Sequence, residues 1–393
     1  MIKNRAYIHI YLLLWCLYWL QGSLYTSGGI ISQILLAIVL LISLFNFVYA
    51  NYHYHLPQVL KTLSVIICIF TVYGLIAIVS GKTFTIQESG HSGISSVGYL
   101  KNVFISLLPV YTVFVAVKRK HLSEKSMRIW TFLFLAVAII AFYKFQSEAM
   151  ASMTSRGIMR DELTNNGSYE VLAILLFVPL FYKRPIIQYV IVAICMYYVL
   201  IGMKRGAMLC GVVAAIWFLF NSIKSSHNTR RSFVIILLTV SIIFFSLYAV
   251  GTMLNSSEYF NQRLEMTLAG ELSNRDTIYA TLYSHFINET NLLRFLFGNG
   301  ANTTLDIASN YAHNDWLEIA INNGLVLLVF YFVFWLRLFK TCRKSNKHSV
   351  YFMMISMFFI IYFIKTFFSM SYSNLPTCAA TALGYALANG EKE

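Results

Sequence analysis

Charged residues are scarce in this sequence, in which only 12% of the 393 residues are Asp, Glu, Lys or Arg. A soluble domain contains about 25% charged residues, so this chain cannot cover a water-exposed surface. Apolar residues make up 58% of the sequence, and the mean hydropathy is +0.65. This composition excludes a soluble globular protein and predicts an all-α, polytopic integral membrane protein.

Cysteine pairs and the usual catalytic motifs are also missing. None of the six cysteines lies in a C-x-x-C pair, so they predict neither a disulfide framework nor a metal site. The sequence has no H-E-x-x-H, P-loop or GxSxG motif, and its acidic residues form no D-x-D pair that could hold a metal-bound nucleotide sugar. A metal-dependent or nucleotide-sugar mechanism therefore has no support in the sequence.

Apolar runs, by contrast, are abundant. A hydrocarbon core of about 30 Å requires roughly 17–25 apolar residues per helix. Twelve segments qualify, the last of them weakly: 6–20, 28–49, 59–79, 102–117, 129–143, 169–182, 185–201, 206–221, 233–251, 324–340, 350–368 and 375–389. Lys365 lies inside one of these runs and is predicted to extend to the membrane surface rather than to face a cavity.

Basic residues are concentrated in every second connection between these spans. With a cytoplasmic N-terminus, 19 of the 30 basic residues fall on the cytoplasmic side and 13 of the 16 acidic residues fall on the other side. This pattern obeys the positive-inside rule and predicts that both termini are cytoplasmic. It also accounts for the net charge of +14, which therefore does not indicate nucleic-acid binding.

The spans predict an N-terminal bundle of about nine helices, an extracytoplasmic loop with its own helices and a C-terminal group of helices, at residues 1–251, 252–314 and 315–393. An ordered loop of this length is costly unless it functions. Within it, Ser273 and Asp276 predict a capping box for a helix that ends near Gly298. The Gly/Ser-rich residues 80–101 predict a flexible outer loop.

His313 is the strongest candidate for a catalytic residue. It lies on the predicted outer side at the head of a helix, beside Asn314 and one turn from Glu318. An imidazole in this position could act as a general base or hydrogen-bond a reacting hydroxyl. The alternative is a polar residue that caps a membrane helix. Asn314 and Glu318 are candidate glycan contacts.

Arginines on the outer side are the second candidate feature. Arg205 lies where a span meets the outer surface, and its planar guanidinium suits phosphate binding, although an interfacial arginine that snorkels is the alternative. Arg156 and Arg160, with Asn166, could neutralise a diphosphate and hold sugar hydroxyls, or could form a solvated loop. Arg275 could bind phosphate as Arg205 could, or could simply lie on the water-exposed face of its helix.

Three short motifs give the sequence a family resemblance. His313, within the segment AHNDWLE, is followed by ten residues and then Gly324. Arg205 begins an R-x3-L pattern at the start of a span, and the loop helix opens with SNR at 273–275 and ends with FGNG at 297–300. In order and membrane side, these motifs resemble the O-antigen ligase and polymerase superfamily, the WaaL/Wzy-type membrane glycosyltransferases.

The resemblance implies a bacterial inner-membrane enzyme that takes a glycan on undecaprenyl diphosphate at the outer face. An acceptor sugar hydroxyl attacks the anomeric carbon and the lipid diphosphate leaves, with inversion and without a metal or other cofactor. His313 positions or deprotonates the acceptor, while Arg205, Arg275 and Arg160 hold the diphosphate. The implied partners are the lipid-linked glycan, membrane lipid, a chain-length regulator and a flippase.

Several functions remain open at this point. We favour a polymerase of lipid-linked repeat units for O-antigen, capsule or exopolysaccharide, because the loop at 144–170 adds its own Arg and Asn residues. A ligase that transfers the glycan to a lipid A core uses the same chemistry. A transporter or flippase predicts inverted repeats and Gly/Pro-broken spans, but only five prolines occur. A non-catalytic scaffold predicts that Arg205 and His313 tolerate substitution.

Overall fold

Helices account for nearly all of the chain that the computed structural model describes. The described residues are 5–81, 83–86, 91–155, 164–224, 275–344 and 349–390, with scattered positions between 233 and 265. The first nine helices are α1 Ala6–Trp19, α2 Ile30–His53, α3 Gln58–Val79, α4 Ser96–Leu107, α5 Pro109–Lys118, α6 Glu124–Ser155, α7 Ser168–Ala173, α8 Pro185–Ile201 and α9 Arg205–Lys224. A 3-10 helix, Ile174–Phe181, continues α7.

Six further helices follow position 265. They are α10 Arg275–Ile287, α11 Leu292–Phe297, α12 Thr303–Ala308, α13 Asp315–Lys344, α14 Val350–Lys365 and α15 Thr377–Gly390. The single loop helix predicted to end near Gly298 is in fact two helices, because Asn291 starts α11 by accepting hydrogen bonds from Leu293 N and Arg294 N. Ser273, which was predicted to cap the start of α10, lies outside the described residues.

Apolar side chains on the outer surface identify the bundle as a membrane protein. Six of the described helical stretches, one of which combines α4 and α5, are long and apolar enough to cross a membrane, and four more apolar helices are shorter. On α2, Leu41, Phe45 and Val48 are 67%, 62% and 59% exposed, and α3 and α9 carry similar residues. Exposed apolar surface of this extent suits lipid rather than water. The count of twelve spans stays a prediction.

Two regions differ from the predicted loops. Within residues 80–101, the described residues include regular structure, because Thr83–Ile86 (β1) and His91–Ser95 (β2) pair as antiparallel strands and α4 begins at Ser96. The described positions from 233 to 265 are helical, so helical backbone occurs beyond residue 252, where the long loop was predicted to begin.

The weakly predicted last span forms a central helix. Nearly every side chain of α15 is buried, and the helix packs against α5 and α14. Gly384 permits this close packing, because a Cβ atom there would lie 2.3 Å from the Val110 carbonyl oxygen. Small residues such as Ala379 and Ala386 complete the contact surface. The helix therefore stabilises the bundle from within.

The basic connections lie together at one end of the bundle. Arg337 of α13 donates to the Gln58 carbonyl at 3.2 Å, at the start of α3. Arg128 of α6 donates to the Leu180 carbonyl at 2.8 Å, and the Arg119 guanidinium lies 4.3 Å from the centre of the Tyr49 ring. These contacts join the helix ends that the positive-inside rule assigns to the cytoplasm.

Candidate functional site

A polar cavity of about 600 Å³ lies at the end of the bundle opposite these basic contacts. Its walls come from the end of α1, the starts of α4 and α7, the end of α6, the α8–α9 connection, the loops on either side of α12 and the segment after α14. Aromatic rings form much of the wall: Tyr18, Trp19, Tyr99, Phe145, Tyr169, Tyr311 and Tyr372. The volume lies within the range of small-molecule sites, about 300–1,000 Å³.

Three lysines from separate elements line the cavity. Lys144 belongs to α6, Lys204 precedes α9 and Lys365 ends α14. The Lys144 ammonium lies 3.6 Å from the Glu148 carboxylate, which is itself about half exposed. Glu170, near the start of α7, is the other acidic side chain in the lining. Both signs of charge therefore face the same polar space.

Lys365 does not extend to the membrane surface, so that prediction is wrong. The side chain is only 1% exposed. Its ammonium donates to the Asn374 carbonyl at 2.8 Å and lies 4.7 Å from the centre of the Tyr169 ring. The carbonyl and the aromatic face replace part of the lost hydration. A buried ammonium stabilised in this way is fixed in position beside the cavity.

His313 lines the cavity with its backbone in the left-handed region, at a φ of +50°. The ring is partly buried, and burial lowers the pKa of the imidazole to about 4, with the nearby charges of Arg275 and Lys204 acting in the same direction. The ring is therefore neutral near pH 7. A neutral imidazole can accept one hydrogen bond and donate another, but it is a weak base.

The segment after α14 brings the predicted site residues together. Arg275 of α10 donates to the Phe368 carbonyl at 2.8 Å, and the Asn314 amide donates to the Phe367 carbonyl at 3.2 Å. Immediately after Asn314, the Asp315 carboxylate accepts from the Ser371 backbone amide at 2.8 Å. These hydrogen bonds join the start of α13 and the start of α10 to the same segment, the one that follows α14.

Arg205 and Arg275 are not among the described residues that line the cavity, although both lie near it. Arg205 opens α9 directly after Lys204, which does line it. At Gly206, a Cβ atom would lie 2.4 Å from the Tyr169 hydroxyl and 2.5 Å from the Phe368 ring. The start of α9 thus packs against the same segment that Arg275 contacts.

Asn314 and Glu318, the two candidate glycan contacts, form hydrogen bonds within the protein. The Asn314 side chain caps α13, because its oxygen accepts from Trp316 N at 2.9 Å and Leu317 N at 3.2 Å. Glu318 is fully buried, and its carboxylate accepts from Thr304, Ala312 and Asn322. Both side chains therefore fix the loop that carries His313.

Two glycines join the FGNG motif to the glycine of the H-x10-G motif. Gly298 and Gly324 have φ values of +76° and +74°, and Gly324 interrupts α13. A Cβ at Gly324 would lie 2.4 Å from Gly298 N, and one at Gly298 would lie 2.4 Å from Asn322 O. Gly300 N also donates to Asn322 O at 2.9 Å. Only glycine fits this crossing of two backbones.

Asn166 is exposed and lines the cavity, as its predicted role requires. The neighbouring Arg156 and Arg160 lie outside the described residues. Three buried polar groups of lining residues, the Tyr99 hydroxyl, the Asn302 amide nitrogen and the Ser373 hydroxyl, have no hydrogen-bond partner among the described residues. Buried polar groups are normally satisfied, so these atoms are free to contact a polar ligand.

Sequence reasoning did not identify Glu170, Lys365 and the segment 366–375 as parts of the site. Glu170 and Lys365 lie inside apolar runs, where hydropathy shows an isolated charge but not the direction in which it points. The polar residues of the segment SMSYSN after Phe368 were the available signal. Such a cluster beside a short apolar run indicates a connection that contacts other polar elements.

The motifs around Arg205, Arg275 and His313 thus converge on one end of the bundle, beside a polar cavity. Comparison of the chain with models of protein families gives no match, and comparison with curated proteins gives none either.

Proposed function

We propose that this protein is a bacterial inner-membrane polymerase that joins undecaprenyl-diphosphate-linked repeat units into a surface polysaccharide. One observation supports the proposal above the others. The cavity of about 600 Å³ places a neutral imidazole, His313, beside Lys204 and within the field of Arg275, among aromatic, hydroxyl and amide groups. Aromatic faces and amides bind sugars, and fixed positive charge binds a diphosphate.

The proposed reaction makes use of each of these features. The acceptor sugar hydroxyl attacks the anomeric carbon of the donor, and the bond between that carbon and the diphosphate oxygen breaks. Lys204 and Arg275 stabilise the negative charge that grows on the leaving oxygen. The neutral His313 ring hydrogen-bonds the reacting groups and holds them in line. Because the diphosphate is a good leaving group, the attacking hydroxyl needs little further activation. The reaction therefore suits a site without a strong base at residue 313.

The test supplies the His313→Ala variant to a strain from which the gene has been deleted. We expect single-repeat glycan with no ladder of longer chains on a polysaccharide gel, because the acceptor is no longer held in line. His55→Ala provides the matched control, since His55 is exposed between α2 and α3 at the opposite end of the bundle. That variant should restore a normal ladder.

Three other outcomes are informative. A full ladder in the His313→Ala strain would refute the assignment of this residue. Polymer that accumulates but is not attached to the lipid A core would favour a ligase, which uses the same chemistry. If purified protein in liposomes moves a lipid-linked glycan without elongating it, the protein is a flippase and the proposal fails.

A further inference from the structure

Glu170 has an unusual environment for a carboxylate within a membrane bundle. It is the third residue of α7, it is partly buried and it lines the cavity. Among the described residues, no group donates a hydrogen bond to its carboxylate, and no cation lies within ion-pair distance of it. An unsatisfied carboxylate in such a position is costly, so a hydroxyl-bearing ligand is its natural partner.

Three other carboxylates at this end of the bundle differ in this respect. Asp315 accepts hydrogen bonds from Tyr331 and from the Ser371 backbone amide. Glu318 accepts hydrogen bonds from three groups of the protein itself. Glu148 is about half exposed and is paired with Lys144. Each of these three has a structural explanation that Glu170 lacks.

Lys365 determines the electrostatic surroundings of Glu170. Its buried ammonium is fixed by Asn374 and the Tyr169 ring, and its charge acts on Glu170. Burial favours the protonated carboxyl group, and the Lys365 charge opposes that effect without occupying the carboxylate oxygens. The other titratable side chains that line the cavity are Tyr18, Tyr99, Lys144, Glu148, Tyr169, Lys204, Tyr311, His313 and Tyr372.

We propose that Glu170 is the general base of the glycosyl transfer, a role that rests on the proposed function. Its carboxylate accepts a hydrogen bond from the acceptor hydroxyl and takes the proton as the new carbon–oxygen bond forms. The bond from the anomeric carbon to the diphosphate breaks, and its electron pair stays on the diphosphate oxygen. The proton then passes from Glu170 to water in the cavity. Lys204 serves the donor, His313 holds the reacting groups in line, and Glu170 takes the proton of the acceptor.

The experiment uses the full protein in detergent with lipid-linked glycan extracted from the deletion strain as the probe. Glu170→Gln should lower the single-turnover rate by about 10²–10⁴-fold, the range for loss of a general base. The wild-type rate should fall with decreasing pH as one carboxyl group is protonated, and Glu170→Gln should lack that dependence. Asp306→Asn is the control, because Asp306 is exposed on α12 and does not line the cavity.

Two further variants distinguish loss of the general base from misfolding of the protein. Glu170→Asp keeps a carboxylate and should retain the pH dependence at a lower rate. Glu170→Ala should recover part of its rate when formate is added, because a small carboxylate can enter the cavity. A Glu170→Gln rate within threefold of the wild type, or an unchanged pH profile, would overturn the role of Glu170. Failure of the wild-type protein to elongate the probe would instead refute the proposed function.

Discussion

Burial, together with the nearby charges of Arg275 and Lys204, determines which form of the His313 imidazole the cavity holds. Because the folded pKa of about 4 lies below the ordinary value of 6.5, the unfolded chain binds a proton between these pH values that the folded protein does not. The contribution of His313 to stability is therefore intact above pH 6.5 and is lost as the pH falls towards 4.

Chemical modification can measure this shift directly. Diethylpyrocarbonate reacts with neutral imidazole, so a histidine of ordinary pKa should react about tenfold more slowly at pH 5.5 than at pH 7.5. We expect the His313 rate to change little over this range, as followed by mass spectrometry of the modified peptide. A tenfold loss at His313 would show that its pKa is not lowered.

Lys204 is predicted to act on the leaving diphosphate. Lys204→Met should lower kcat/KM for the lipid-linked glycan by about 10²–10³-fold, the usual cost of losing one electrostatic contact in a transition state. Lys101→Met is the matched control, because Lys101 lies exposed in the middle of α4 and does not line the cavity. Equal losses in the two variants would mean that only the general charge of this surface matters.

At the level of elements, the crossing of Gly298 and Gly324 joins the loop helices to α13. Gly298→Ala and Gly324→Ala should each cost at least about 1–3 kcal/mol from the positive φ alone, with a further cost from backbone contacts at 2.4 Å. Gly28→Ala separates the two effects, since Gly28 has a φ of +69° and nothing within 4 Å. Thermal unfolding of the purified variants should show a larger loss for the two crossing positions.

The double variant adds a test of the contact itself. Once one alanine has forced the two segments apart, the second alanine meets less resistance, so the combined loss should be smaller than the sum of the single losses. Strict additivity would show that the two glycines respond independently.

How far the sequence could predict these elements depends on the kind of signal. Hydropathy placed most of the helices, because a membrane span needs only length and apolar composition. It could not show that Lys365 points inward, since the direction of one side chain depends on the rotation of α14 against its neighbours. Asn314 and Glu318 were recognised as polar, but their use in holding the loop became clear only with their partners in place.

For the whole molecule, the proposed chemistry requires the cavity to face the outside of the cell. A cysteine in place of Asp306, which is exposed on α12, should react with a membrane-impermeant maleimide in intact cells. A cysteine in place of Lys125, exposed at the start of α6, should react only after the cells are permeabilised. Both belong in a Cys68→Ser background, because Cys68 is exposed. The reverse pattern would contradict the predicted orientation.

Backbone conformation around the cavity has a consequence for heat inactivation. Of the five described non-glycine residues with positive φ, four lie in connections at this end of the bundle: Met203, Asn302, Ser309 and His313. Each such conformation costs about 1–3 kcal/mol and persists only where surrounding structure enforces it. As the temperature rises, these connections should relax while the apolar helices stay assembled. The proposed glycosyl transfer should therefore cease in a protein that still has the circular dichroism of an intact helical bundle.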